Sequence, residues 1–247
     1  MNRRRFLQQL ASWLVSLGGV GAIAGRQSAT ASVPEHPETK RFGMAIDVDK
    51  CIGCARCMEA CKTENAVPPE PFFFRTWVER YVIKEDGEAV VSSLGAPTGQ
   101  HMEVAEEKDR LRSFFVPKLC NQCEHPPCVQ VCPVRATFKT PEGVVLVDST
   151  RCIGCRYCIQ ACPYGARYLH PETKTADKCT FCYQRVTKEL LPACVEVCPT
   201  QARIFGDTST PASPLERVRR MNKIHVLKAH LNTDPKVIYA NLDGEVR

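Results

Sequence analysis

Sixteen cysteines are the residues of this 247-residue chain whose type and spacing could do chemistry, and they fall into four compact groups. The groups are Cys51, Cys54, Cys57, Cys61; Cys120, Cys123, Cys128, Cys132; Cys152, Cys155, Cys158, Cys162; and Cys179, Cys182, Cys194, Cys198. Thiolates taken four at a time suit tetrahedral or cubic metal sites. A disulfide scaffold would be smaller and would scatter its cysteines through loops. A zinc clasp fits the fourth group, "CTFCYQRVTKELLPACVEVCP", about as well as a cluster does. It does not fit "CIGCARCMEAC" or "CIGCRYCIQAC", two full C-x2-C-x2-C-x3-C runs.

That run is the spacing of bacterial ferredoxins. Three cysteines two residues apart can wrap three corners of an iron-sulfur cube, and the following helical turn throws the fourth onward to a neighbouring cluster. Gly53 and Gly154 precede the second cysteine, where a side chain would crowd the wrap. Pro133, Pro163 and Pro199 follow the last cysteine of three groups, removing a donor and redirecting the chain, whereas Lys62 takes that place in the first. His125 lies inside "CEHPPC", a site that already has four thiolates, so it reads as a packing or supporting residue.

The elements that must position these loops repeat. Residues 51–61 match 152–162 at seven of eleven positions, and 128–138 match 194–204 at six of eleven, giving an a, b, a, b order. Short apolar runs, "FGMAIDVD" from Phe42 and "GVVLVD" from Gly143, read as strands entering the a loops; "CMEACKTEN" and "CIQACP" read as helical turns leaving them. The fold class is therefore α+β, built from small ferredoxin-like units. "PFFFRTWVERYVI" (Pro71 to Ile83) is an aromatic strand in an insertion without cysteine, and Phe72, Phe73, Phe74 and Trp77 read as covering the core rather than facing a partner. Beyond Cys198, "SPLERVRRMN" predicts a helix with Ser213 as N-cap, Pro214 at its first position and Glu216 completing a capping box. "KVIYANL" (Lys236 to Leu242) predicts a strand.

The N-terminus carries a different message. Met1 to Ala31 has a basic start, an apolar run from Leu10 to Ala24, and a small-residue Ala29-Thr30-Ala31 cleavage site. The run is shorter than the ~20 residues that span a bilayer. Arg3-Arg4-x-Phe6-Leu7 resembles a twin-arginine export signal, the route for proteins that fold before export. Metal centres built in a reducing cytoplasm need that route, since bare thiols threaded into an oxidising compartment would pair. Without Arg3, Arg4, Arg5 and Arg26 the formal +6 becomes +2. Four clusters at roughly −2 each would leave the protein acidic, which gives no support to nucleic-acid binding. No nucleophile and base pair or phosphate loop stands out either.

The motif order, with "CNQCEHPPCVQVCP", "CIGCRYCIQACPYGAR" and "TADKCTFCYQRVTKELLPACVEVCP", resembles the four-cluster iron-sulfur subunits of the dimethyl-sulfoxide-reductase superfamily. It is most similar to periplasmic members of the tetrathionate, polysulfide, thiosulfate and formate-dependent nitrite reductase types. Spacing leaves sequential and nested pairing of the motifs open; the resemblance implies nesting. One [4Fe-4S] cluster would take Cys51, Cys54, Cys57 and Cys198, and a second Cys179, Cys182, Cys194 and Cys61. A third would take Cys120, Cys123, Cys128 and Cys162, and the fourth Cys152, Cys155, Cys158 and Cys132. The implied organisation is a signal peptide (1–31), an outer module (42–64 with 176–207), an insertion (65–113), an inner module (114–175) and a C-terminal helix and strand extension (208–247). The implied function is a periplasmic, non-catalytic relay of single electrons between a membrane quinol-binding subunit and a molybdopterin catalytic subunit for a sulfur compound or related oxyanion. The alternatives are a relay in a quinone-linked complex that exchanges electrons with cytochromes, and, from another class, a zinc- or disulfide-stabilised binding protein.

Overall fold

A computed structural model describes residues 40–70, 73–94, 110–242, 244 and 246. The export-type signal, Phe72 and most of the polar stretch before Arg110 lie outside them. The apolar run before the first motif forms β1 (Phe42–Asp47), buried along its whole length, and α1 (Arg56–Glu64) carries Cys57 and Cys61 onward. The insertion supplies β2 (Thr76–Lys84), β3 (Ala89–Leu94) and β4 (Arg110–Leu119). One-turn helices α2 (Pro127–Gln130) and α3 (Tyr157–Gln160) end the second and third motifs. They alternate with short strands β5 (Thr137–Lys139), β6 (Val145–Val147), β7 (Arg167–Leu169) and β8 (Ala176–Lys178). The fourth motif spans α4 (Tyr183–Val186) and α5 (Ala193–Glu196) and runs into β9 (Arg203–Asp207). The tail adds α6 (Pro214–Met221), β10 (Ile224–His225) and β11 (Val237–Ala240).

Strand pairing gives the arrangement its logic. Each strand that leaves a motif pairs antiparallel with the strand entering the next: β2 with β4, β5 with β6, β7 with β8, and β9 back to β1. The four cysteine loops are thereby closed into a ring, and strands of only three residues suffice because each hairpin is pinned by a loop at both ends. β11 then runs parallel to β1 on its other side, giving the sheet order β10-β11-β1-β9. Val237, Tyr239 and Ala240 are fully buried there, and the Tyr239 hydroxyl donates to the Pro117 carbonyl of β4 at 3.1 Å. The tail is thus a structural strand of the first motif's own sheet.

The aromatic segment begins its strand at Thr76 rather than Pro71. Trp77 is buried, Phe74 packs against the same core and lies under the Lys62 ammonium at 4.2 Å, and Phe73 packs on Tyr168 at 5.3 Å. These rings face inward, as their apolar area favours. The predicted capping box is only half formed. Ser213 Oγ accepts from Leu215 N at 3.3 Å, but Ser213 N already donates to Thr210 O at 3.0 Å, and Glu216 turns to Arg219 at 3.4 Å.

Candidate metal centres

The backbone around each second cysteine explains the loop shape. The preceding residue is left-handed in all four motifs: Gly53 (φ 70°), Gln122 (φ 47°), Gly154 (φ 69°) and Phe181 (φ 54°). Glycine stands there in the first and third motifs, and glutamine and phenylalanine in the second and fourth. Gln122 and Phe181 are fully buried and used in packing: Phe181 meets Phe205 edge-on at 5.4 Å, and Gln122 donates to Cys179 O at 2.8 Å and accepts from Val145 N at 2.7 Å. At Gly53 an added Cβ would meet the Phe115 ring at 2.5 Å, and at Gly154 the Lys174 carbonyl oxygen at 2.5 Å. Glycine there serves both the turn and the close packing of neighbours.

Three groups of four thiols each line one cavity. Cys51, Cys54, Cys57 and Cys198 surround one of about 330 Å³. Cys61, Cys179, Cys182 and Cys194 surround one of about 280 Å³, and Cys120, Cys123, Cys128 and Cys162 one of about 320 Å³. Cys152, Cys155 and Cys158 share the third-motif loop, where Ala176 N donates to Cys152 Sγ at 3.4 Å, and Thr137 N donates to Cys132 Sγ at 3.5 Å. Cys132 corresponds in the repeat to Cys198, and both thiols are held below their ordinary range. At each, burial is outweighed by converging donors: the Thr137, Val134 and Ala136 amides at Cys132, and the Thr200 hydroxyl with the Arg203 and Ala202 amides at Cys198. The enclosed thiols go the other way. Burial, then the nearby thiols Cys120, Cys128 and Cys162, push Cys123 up to about 12; burial and Cys120 do the same to Cys179. Thiols packed this way remain protonated unless positive charge joins them.

These surroundings fit a polynuclear iron-sulfur group. Among the described residues, no three His, Cys, Asp or Glu side chains gather into a site for a single metal ion. The thiols instead stand around space, and buried donors without partners, Arg203 Nη1 and Arg167 Nε, stand beside them. His125 is exposed, and its backbone donates to Thr233 O at 3.1 Å, which leaves it outside the thiol sets.

Several supporting residues carry no signal in the cysteine spacing. Asn65 Nδ2 reaches both Cys61 Sγ and Cys182 Sγ at 3.6 Å, bridging the first and fourth motifs. Thr233, from the tail, bonds to the Cys123 thiol, while Asp234 O and Asn121 O fasten the second-motif loop to the tail at 2.8 and 2.9 Å. Arg167 Nη2 donates to Cys128 Sγ at 3.0 Å, and Arg203 lies against Cys194. Lys178, completely buried, donates to Cys179 O at 2.7 Å and to Val145 O. The usable signal was "CPYGAR" against "CPTQAR": the third and fourth motifs share C-P-x-x-A-R, and the second continues instead to Thr137. The eleven-residue gap of the fourth motif is helical over α4 and again at Ala193, where α5 begins. Glu189 turns left-handed (φ 62°), and Arg185 ties the loop down, donating to Leu191 O at 2.8 Å and pairing with Glu64 at 3.0 Å.

Cys57, Cys194 and Cys61 act electrostatically on Arg203, Cys120 acts on Cys179, and Cys128, Cys120, Cys158 and Cys162 act on Arg167. The exposed thiols are Cys54 and Cys155, which share their loops with the exposed isoleucines Ile52 and Ile153.

Comparison with known proteins places these features. Residues 47–136 and 111–208 each match a 4Fe-4S dicluster domain. A tetrathionate reductase subunit of Salmonella typhimurium is 40% identical, over 98% of this chain and 89% of its own. Its counterpart in the tetrathionate reductase of Archaeoglobus fulgidus is 46% identical, over 83% of this chain and 84% of its own. The Hdr-like menaquinol oxidoreductase iron-sulfur subunit 1 of Archaeoglobus fulgidus is 36% identical, over 99% of this chain and 100% of its own.

Proposed function

Since the chain belongs to the 4Fe-4S dicluster family of ferredoxin-type electron-transfer subunits of reductase complexes, we propose that it is the exported relay of a respiratory reductase, carrying electrons between a membrane quinol-binding subunit and a molybdopterin subunit that reduces a sulfur compound or related oxyanion. The observation that carries this reading is that three groups of four cysteines, each drawn from two motifs, line shared cavities. When bound, four [4Fe-4S] clusters supply one-electron carriers. The chain's own residues hold them, with nine of the sixteen thiols buried and Cys54 and Cys155 exposed. Tetrathionate is the substrate class suggested by two relatives. Among the described residues no helix is long and apolar enough to cross a membrane; the proposed attachment is through a partner subunit. The Arg3-Arg4 segment supports periplasmic export by the twin-arginine route.

The proposed ligand sets are Cys51, Cys54, Cys57, Cys198; Cys179, Cys182, Cys194, Cys61; Cys120, Cys123, Cys128, Cys162; and Cys152, Cys155, Cys158, Cys132. The first three are supported by the shared cavities. Cys132 is assigned by its equivalence to Cys198. The same nesting supports an outer module of 42–64 with 176–207 around an inner one of 114–175. A second reading, a relay within a quinone-linked complex exchanging electrons with cytochromes, is favoured by the menaquinol oxidoreductase relative. Copurification from membranes distinguishes the two. A molybdenum-containing partner, with tetrathionate reoxidising the quinol-reduced complex, supports the first; a haem-containing partner without molybdenum overturns it in favour of the second.

A further inference from the structure

Two arginines occupy matching places in the nested modules. Arg167 begins β7, is 5% exposed, and donates through Nη1 to Thr137 Oγ1 at 3.3 Å and through Nη2 to Cys128 Sγ at 3.0 Å. Arg203 begins β9, is 2% exposed, and donates through Nη2 to Thr76 Oγ1 at 2.7 Å. Each threonine begins the strand that leaves the companion motif: Thr137 follows the second and Thr76 follows the first. Every module therefore holds one arginine from one half and one threonine from the other, joined across its centre. A buried guanidinium is costly unless negative charge faces it. The acidic groups acting on Arg167 are Cys128, Cys120, Cys158 and Cys162, and on Arg203 they are Cys57, Cys194, Tyr239 and Cys61. In both cases the thiols come from two of the proposed sets, and each arginine lines the cavity of one of them, Arg203 that of Cys51, Cys54, Cys57 and Cys198 and Arg167 that of Cys120, Cys123, Cys128 and Cys162. Each arginine also keeps a buried N–H without a partner, Nε of Arg167 and Nη1 of Arg203.

We propose that Arg203 and Arg167 are positioning residues that set reduction potential, each one a fixed cation shared by two neighbouring clusters and held in place by Thr76 or Thr137. The proposal rests on the ligand sets given above. A cluster gains one negative charge on reduction, and a guanidinium in a medium that screens poorly favours that charge, so each arginine raises the potentials of both clusters it faces. Hydrogen bonds to cluster sulfur act in the same direction. Sharing one cation between two clusters keeps their potentials close, which suits a relay.

The test uses the anaerobically purified holoprotein and its variants Arg203→Met, Arg203→Lys, Thr76→Val, Arg167→Met and Thr137→Val, with redox titration followed by electron paramagnetic resonance. Iron content is measured first: a wild type without ~16 irons would refute the cluster reading itself, while potentials of iron-replete variants bear on the arginines alone. Arg203→Met is expected to lower two of the four midpoints at least tenfold in the one-electron equilibrium, about 59 mV. Arg167→Met is expected to lower the other two. Arg203→Lys keeps the charge and most of the potential. Thr76→Val and Thr137→Val, which leave both arginines in the chain, move the same pairs by less, and they carry the test should a methionine variant fail to assemble. Unchanged midpoints in Thr76→Val and an iron-replete Arg203→Met would overturn the proposal, as would a uniform fall of all four in either arginine variant.

Discussion

Gly154→Ala perturbs the third motif in a way whose size can be worked from the structure. Alanine at φ 69° costs about 1 kcal/mol or somewhat more, the penalty of a left-handed L-residue. The new Cβ would also sit 2.5 Å from the Lys174 carbonyl oxygen, a backbone atom that moves only with its loop. Overpacking of this kind adds roughly 1–3 kcal/mol. Gly165 provides the control, with φ 61° and nothing within 4 Å of an added Cβ. Gly165→Ala is therefore expected to show the conformational cost alone, and Gly154→Ala about 2 kcal/mol more. Local opening measured by native-state amide exchange in the 151–158 loop should then be faster by roughly 30-fold in Gly154→Ala than the change Gly165→Ala produces in its own loop. If the two alanines cost the same, the close approach of Lys174 is not what selects glycine at 154.

Cys198→Ala should leave the cluster of Cys51, Cys54 and Cys57 short of one ligand, so that total iron falls from ~16 to roughly 12–15 and the lost or altered spectrum belongs to that site; loss of the Cys179, Cys182 and Cys194 cluster with the Cys51 cluster intact would refute the pairing. Tyr239→Ala removes a fully buried ring from the strand that seals the first motif, and should lower stability to guanidinium by about 3–5 kcal/mol, whereas Met221→Ala, at a side chain 70% exposed, should stay within about 0.5 kcal/mol. Thr233→Val should speed loss of the cluster at Cys120, Cys123, Cys128 and Cys162 under chelator before the others, since Thr233 reaches the Cys123 thiol from the tail; equal rates at all four would argue against that clamp.

Much of this architecture was legible from the cysteines outward. The strands entering the a motifs at Phe42 and Val145 and the helical turns that follow them lie where apolar runs and loop spacing put them. What local pattern could not supply was pairing. β5 to β8 are three residues each, too short for periodicity to name a partner, and β11 joins β1 across nearly the whole length of the chain. For the same reason the tail read as an appendage, although Val237 and Tyr239 are as buried as Ile46. Arg167 and Arg203 were visible as a repeated C-P-x-x-A-R, yet charged residues are ordinarily solvated, and only the fold shows both turned inward onto thiols. At Gln122 and Phe181 the left-handed turn was hidden because residues other than glycine adopt it where packing compensates the strain.

If the sixteen cysteines hold four cubane clusters that do nothing but pass electrons, iron and acid-labile sulfide must be present in equal and full amounts. Both are counted per chain on protein purified without oxygen, with Mössbauer spectroscopy to identify the cluster type. About 16 irons and about 16 sulfides, all in [4Fe-4S] form, are expected. Stoichiometric zinc with little sulfide, or iron for only two clusters after full reconstitution, would contradict the assignment.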